Sequence, residues 1–511
     1  MTGDTTVVAL PAPRKPLEAR GTAARVPAAL RTRWPLFAVL ALQIGLAYML
    51  TNTAFEDEAL YLYAGHRELG WLLHHTPTYD TYASYFSGAP FLYPVLAALV
   101  DGLLGLEGAR ALSLVFMLGA TTFVWMTARR LYGRQAAIVA AALFGVSAPT
   151  LFLSRLATYD ALCVFLLALA LWLVVRPARA NPAWVLLAAP VLVLAAASKY
   201  ASALYLPTVV AAALLVVPAT GGSWARACVR GGLLAVGVTG LGWAALTAWP
   251  DLRTGLSQTT VNRAAGAEPL SNILRLSAVW GGWIAALAIV GVWFVARGQR
   301  DAKRVPGVLL AATLMLTATL ATLYQAHLGT SVSLHKHVGF GLLFAAPVAG
   351  LGLASVAKLG QLRAVPGFAL GVCVLLAFYA NHAVSPTFGG WPNSSREVAA
   401  LRPLVVPGQS QKYLVEENEI PRYYLANQAE PYEWLTTYFF QYKALTGVPA
   451  YQAAIHDGYF NLVVLDFGPT AALDRQLTTL LKAEPTKYRL LTQVPGETSH
   501  GNQTYYIWQR Q

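Results

Sequence analysis

Charge is what this sequence most conspicuously lacks. Only 12% of its 511 residues are Asp, Glu, Lys or Arg, while 56% are hydrophobic. Soluble chains carry roughly 25% charged residues, so a soluble globular protein is excluded and a polytopic membrane protein is expected. Cysteine is scarce too: Cys163, Cys228 and Cys373 fall in or beside apolar runs, which excludes a disulfide framework. No glycine-rich phosphate loop or nucleotide fingerprint occurs. Nor does the inverted repeat found in many transporters. The net charge of +13 does not point to nucleic acid, because its distribution is uneven. Arg14, Lys15, Arg20, Arg25, Arg31 and Arg33 crowd residues 1–34, which read as a disordered, basic cytoplasmic arm rather than a cleaved signal peptide.

What the chain does have is apolar runs near ~20 residues, the length that spans a bilayer. They lie at about 35–52, 109–128, 135–153, 160–175, 183–198, 201–217, 231–249, 278–296, 306–324, 338–357 and 364–383, about 11 transmembrane helices. The apolar stretch Phe91–Leu106 holds Asp101 and is expected to be a juxtamembrane or re-entrant helix. With the N-terminus inside, the inner loops contain 19 basic residues and three acids. The outer loops contain eight basic residues and ten acids, so the arrangement obeys the positive-inside rule. A crossing by Phe91–Leu106 would move Arg129, Arg130 and every later basic loop outside. All nine histidines then fall on the outer face, where chemistry is expected.

Residues 35–383 thus read as a transmembrane domain with a long first outer loop, 53–108. Residues 384–511 hold 11 acids and 10 bases and read as an extracytoplasmic α/β domain. Tyr413–Val415, Tyr459–Phe467, Arg489–Val494 and Thr504–Trp508 are expected as strands, and Leu473–Leu481 as a helix. The overall expectation is an all-α polytopic membrane protein with a C-terminal soluble α/β domain.

The candidate chemistry starts at the head of the first outer loop, Phe55-Glu56-Asp57-Glu58-Ala59-Leu60-Tyr61. Ionisable residues at a membrane border are costly to desolvate and tend to be functional. Three adjacent carboxylates repel one another, which favours a raised pKa and a usable base. They also suit a helix N-terminus, and both readings are compatible. In the next outer loop, Arg155 and Asp160 stand at the ends of adjacent crossings, either as a salt bridge or as site residues. Lys199 is the only basic residue of a short outer turn, and an anionic phosphate is a natural partner for it. His335-Lys336-His337 and Arg263 lie on the same face. Histidines at i, i+2 are a weak metal signal and, beside a lysine, suit an anion better. Tyr82 and Tyr85 are placed to stack on a sugar, or to form part of an interfacial aromatic belt.

Asp57-Glu58 with Tyr61, the Tyr85-Phe86…Pro90 close of the first outer loop, Arg155…Asp160 and the Lys199 turn together resemble the GT-C superfamily. These are integral-membrane glycosyltransferases using polyprenyl-phosphate sugars. The similarity is nearest to the protein O-mannosyltransferase and lipid A aminoarabinose transferase branch, over about residues 35–380. The resemblance implies a GT-C fold, catalysis by Asp57, Asp160 and Glu58, and substrate contacts from Tyr61, Tyr82 and Tyr85. Lys199, Lys336, Arg155, Arg263, His335 and His337 would hold the donor phosphate. The aminoarabinose branch has Phe-Glu-Lys-Pro-Pro where this chain has Phe86-Ser87-Gly88-Ala89-Pro90, so an acid associated with a metal and a lipid-phosphate lysine are missing. No metal ligands are assigned; a divalent cation is the one cofactor left open.

The function expected is inverting transfer of a sugar from a polyprenyl-phosphate lipid donor to a glycan, lipid or protein acceptor, outside the plasma membrane. A membrane transporter or lipid flippase is the alternative. It predicts charges or helix breakers within the crossings and repeated halves. A scaffold whose tail binds a partner is a third reading.

Overall fold

The computed structural model describes residues 28–47, 52–298, 303–359, 365–498 and 501–511, so most of the N-terminal arm lies outside the described residues. The chain is a multi-pass membrane protein. Among the described residues six helices are long and apolar enough to cross a bilayer: Tyr93–Tyr132, Tyr200–Ala219, Trp224–Ala248, Leu270–Gly298, Arg304–Leu328 and Leu334–Lys358. Shorter apolar helices at Arg33–Ala47, Arg134–Gly145, Tyr159–Val175, Pro182–Ser198 and Gly371–Pro386 coincide with the other expected crossings. Residues 135–153 are two helices, Arg134–Gly145 and Ala148–Leu153. Pro149 opens the second, since it has no N–H to continue the first. The helix Leu334–Leu359 runs through the centre, burying Phe340 and Phe344 against its neighbours.

Phe91–Leu106 does not form a crossing separate from its successor. Secondary structure runs unbroken over Tyr93–Tyr132, yet Gly105 has φ 69° and ψ −171°, which only glycine adopts without strain. At about 1.5 Å per residue a straight helix of 40 residues would be roughly 60 Å long, twice the apolar thickness of a bilayer. Gly105 instead breaks off the leg that starts at Tyr93. Its outward face exposes Leu103 and Leu104.

The C-terminal region is built on a five-stranded mixed sheet. Its strands are β1 Tyr413–Val415, β2 Trp434–Thr436, β5 Leu462–Leu465, β6 Tyr488–Thr498 and β7 Gly501–Arg510, in the order β2-β1-β5-β7-β6. A short hairpin, β3 Gln441–Tyr442 and β4 Leu445–Thr446, lies outside it. β1 pairs parallel with β2 and β5, while β7 is antiparallel to β5 and β6. Every β5 side chain is buried, which explains its unbroken Leu-Val-Val-Leu sequence. Leu462 and Val464 enter one core with Leu401 and Ile507; Val463 and Leu465 enter the other with Leu477 and Leu481. The expected strands and helix are present. The edge strand β2 was missed because three residues carry too little pattern to register.

This region docks on the helix Glu56–His74. Tyr424 Oη accepts from the Ala54 amide at 2.7 Å, and Tyr423 Oη donates to Asp101 at 2.7 Å. Arg422 pairs with Asp80 and covers the Tyr63 ring at 4.6 Å.

Candidate active site

Three acids open the helix Glu56–His74 as Glu56, Asp57 and Glu58, and the helix sends them in different directions. Glu58 points inward and is fully buried. Its Oε1 accepts from Arg110 Nε at 2.9 Å and the Ala157 amide at 2.7 Å. Its Oε2 accepts from Arg110 Nη2 at 2.8 Å and the Phe55 amide at 3.0 Å. The last bond is half of a capping box. With four donors on two oxygens, Glu58 has no lone pair to spare for a substrate proton. The structure places Glu58, expected among the catalytic acids, as a fully bonded brace at the head of the helix. Arg110, which completes the brace, was passed over in the sequence because it lies just inside an apolar run.

Asp57 points the other way, and its side chain is 27% exposed. Lys336 Nζ lies 2.5 Å from its Oδ2, and the lysine side chain is only 7% exposed. Asp160, wholly buried, opens the crossing Tyr159–Val175, with Lys199 Nζ at 3.4 Å from its Oδ1. That separation is an ion pair rather than a well-formed hydrogen bond, and both Asp160 oxygens lack a bonded donor of good geometry. The field of Asp160 also reaches Lys336, so the two acid–lysine pairs form one constellation. Tyr61 and Tyr159 tie it together: their hydroxyls hydrogen-bond at 2.7 Å, and Lys199 sits over the Tyr159 ring at 4.5 Å.

The close of the first outer loop positions Lys199. The Ala89 amide donates to the Ala197 carbonyl at 2.8 Å, and the Tyr200 amide donates to the Ser87 carbonyl at 2.9 Å. Gly88 lies flat on this turn; a Cβ there would come within 2.1 Å of the Ser198 carbonyl oxygen. The stretch in which the chain departs from the aminoarabinose branch is thus the one that seats Lys199.

Beside the lysine opens a cavity of about 270 Å³, lined by Lys199, Arg263, His337, Tyr200, Tyr205 and Thr259 among others. It brings together three of the six expected phosphate residues and leaves out the others. Lys336 is engaged with Asp57. Arg155 donates to the Leu46 carbonyl at the end of the first helix. His335 is wedged between Phe152 and Trp280, at ring-centre distances of 4.7 and 5.3 Å, and does not line the cavity. Tyr82 is buried against Phe86, whereas Tyr85 is 46% exposed and free to meet a ligand.

A divalent cation between Asp57 and Asp160 does not fit these residues, because each carboxylate already faces an ammonium group. The constellation instead provides a partly exposed carboxylate, Asp57, and, through Asp160, a lysine that lines a cavity together with Arg263.

Comparison with known proteins identifies one matching family and several similar structures. The family described as "Dolichyl-phosphate-mannose-protein mannosyltransferase" matches residues 89–242. No curated protein sequence matches the chain. Among solved structures, ArnT from Cupriavidus metallidurans bound to undecaprenyl phosphate aligns with TM-score 0.58 and 14% identity, covering 95% of this chain and 98% of that one. The archaeal oligosaccharyltransferase AglB from Archaeoglobus fulgidus, in complex with an inhibitory peptide and a dolichol-phosphate, aligns with TM-score 0.55 and 13% identity over 92% of this chain and 75% of that one. Another structure of the Archaeoglobus enzyme, in complex with Zn and sulfate, aligns with TM-score 0.54 and 14% identity, covering 92% of this chain and 72% of that one. The fold is the one these ArnT and AglB structures share.

Proposed function

We propose that this protein is an inverting glycosyltransferase that moves a sugar from a polyprenyl-phosphate lipid to an acceptor hydroxyl at the outer membrane surface. The observation that carries the reading is the pairing of partly exposed Asp57 with Lys336, joined through Asp160 to Lys199, which lines a cavity with Arg263 that has room for a phosphate. The similar structures of ArnT bound to undecaprenyl phosphate and of AglB in complex with a dolichol-phosphate support the same donor class.

In this mechanism the donor phosphate lies by Lys199 and Arg263, and its prenyl chain leaves between the helices. Asp57 takes the proton of the acceptor hydroxyl as that oxygen attacks the anomeric carbon. The carbon–oxygen bond to phosphate breaks, and the electron pair leaves with the phosphate. Cations at the leaving oxygen stabilise the charge that grows there, generally the largest electrostatic contribution to such a step. Asp160 holds Lys199 in place, and Glu58 with Arg110 anchors the head of the helix that carries Asp57. The region 384–511, docked over the first outer helix, covers the acceptor side.

The test is transfer from a panel of radiolabelled polyprenyl-phosphate hexoses and pentoses by purified protein, wild type beside Asp57→Asn. General-base removal costs about 10²–10⁴ in rate, so Asp57→Asn is expected to lose at least about 10²-fold while still binding polyprenyl phosphate. Full activity in Asp57→Asn, or no polyprenyl-phosphate binding by wild type, overturns the reading.

A further inference from the structure

A cleft of about 280 Å³ opens in the C-terminal region and shares no lining residue with the cavity beside Lys199. One wall is the loop before β1, with Gln409 and Ser410. The other is the loop before β2, with Asn427, Gln428 and Tyr432. The buried Glu433 carboxylate ties the walls together, accepting from the Gln411 amide at 2.8 Å on one side and the Glu430 amide at 2.7 Å on the other. Charge-assisted bonds to a buried carboxylate are strong, so the cleft is formed before any ligand arrives.

Its lining is rich in amides. Leu, Ile, Val and Met are absent from the described lining residues, and so are Lys, Arg and His. Gln409 Oε1 accepts from Gln411 Nε2 at 3.0 Å, which fixes that amide with its N–H groups left to donate. Gln428 Oε1 is buried without a hydrogen-bond partner. Buried amide oxygens are nearly always satisfied, so this one indicates a donor that the protein does not itself supply.

A separate observation is a row of exposed tyrosines. Tyr432 is 43% exposed, and its ring meets that of Tyr79, 55% exposed, at 5.2 Å. Tyr79 has φ 66°, a left-handed conformation that a bulky residue adopts only at a cost. Arg67 covers the Tyr79 ring at 5.8 Å and lies on the helix that carries Asp57, roughly 15 Å further along it. Asp80, which follows Tyr79, is held by Arg422, and the charges of both reach Tyr85. Exposed Tyr85 packs on Phe86, and Phe86 packs on Tyr61, which the field of Asp57 reaches. Tyrosine rings thus mark a path from the cleft to the neighbourhood of Asp57.

We propose that this cleft binds a neutral oligosaccharide, whose chain follows Tyr432, Tyr79 and Tyr85 toward Asp57 and is the acceptor of the transfer. A sugar ring matches this combination of groups. Its C–H face lies on a tyrosine ring, and its hydroxyls both donate to and accept from side-chain amides. One such hydroxyl donates to Gln428 Oε1. A phosphorylated or carboxylated chain would meet Glu430 and Glu433 with no cation in the lining, and an apolar peptide side chain would find no aliphatic wall. That the bound chain is the acceptor rests on the glycosyltransferase reading; its binding in the cleft does not.

The test is an array of neutral oligosaccharides probed with the full-length protein in detergent, followed by calorimetric titration of the sugar that binds best. Wild type and Asp57→Asn are expected to bind it alike. Tyr432→Ala should weaken Kd about tenfold through loss of one ring contact. Gln428→Ala should weaken it comparably yet melt no lower than wild type, because it removes an unsatisfied buried atom. With a polyprenyl-phosphate sugar as donor, Tyr432→Ala should raise KM for the oligosaccharide about tenfold and leave kcat and lipid binding unchanged. No binding of any neutral oligosaccharide, binding of anionic glycans or peptides in its place, or an unchanged Kd in both variants overturns the proposal. Transfer to another acceptor while the bound oligosaccharide stays unmodified overturns its acceptor role. Binding with the expected losses, but no transfer from any donor, upholds the cleft and its ligand and overturns the glycosyltransferase reading instead.

Discussion

Lys336 Nζ rests 2.5 Å from Asp57 Oδ2, across 279 residues of sequence, and so links the central helix of the bundle to the helix Glu56–His74. In the proposed mechanism a phosphate entering beside Lys199 competes for Lys336, and Asp57 is freed as the donor arrives. Lys336→Met is therefore expected to reduce kcat/KM for the donor lipid about 10²-fold. Combined with Asp57→Asn it should lose far less than the product of the two single effects, since residues in one network are not additive. Steady-state kinetics on the three variants checks this.

Glu58 and Arg110 are expected to act on stability rather than chemistry. Removing one partner of a buried ion pair costs about 3–5 kcal/mol. Glu58→Gln and Arg110→Met should each lower the melting temperature markedly, while the fraction that remains folded turns over at near the wild-type rate. A rate loss as deep as that of Asp57→Asn, with stability unchanged, would return Glu58 to the catalytic set.

Gly88 has its own prediction. A Cβ there meets a backbone carbonyl oxygen at 2.1 Å, and backbone cannot rotate away as a side chain can. Gly88→Val should part the loop from the Ser198–Lys199 turn and weaken polyprenyl-phosphate binding about tenfold or more, with a smaller change in kcat. Binding by the lipid phosphate alone, measured by competition, is the direct readout.

Glu56 supplies a pH dependence. Burial, then the nearby charges of Glu419, Glu417 and Asp57, pushes its carboxyl up to about 8 from the ordinary 4.5, against the opposing pull of Lys336. The folded state holds a proton that the unfolded state releases, so its contribution is complete below 4.5, is lost as pH rises through 4.5 to about 8, and is flat beyond. Glu56→Gln, which mimics the protonated form, should match wild type at pH 4.5 and melt several degrees higher at pH 9. An equal gap at both pH values would contradict the assignment.

The sequence by itself determined the membrane class, the approximate positions of the crossings, the two-part organisation and the end of the bundle at which Asp57, Asp160, Lys199 and Lys336 gather. Those follow from local quantities: the length of an apolar run, the sign of a loop's charge, the alternation along a strand. Only the tertiary structure decided which acid does what. Glu56, Asp57 and Glu58 are neighbours in sequence, but about 100° per residue of helical rotation sends one to Arg110, one to Lys336 and one toward Glu417 and Glu419. The same holds for His335 and His337, two residues apart, one stacked on Trp280 and the other lining the cavity. Partners drawn from distant helices leave no periodic mark in the chain. The amide-lined cleft of the C-terminal region was invisible for that reason, because the Glu433 carboxylate joins the loop before β1 to the loop before β2 across 22 residues that share no pattern.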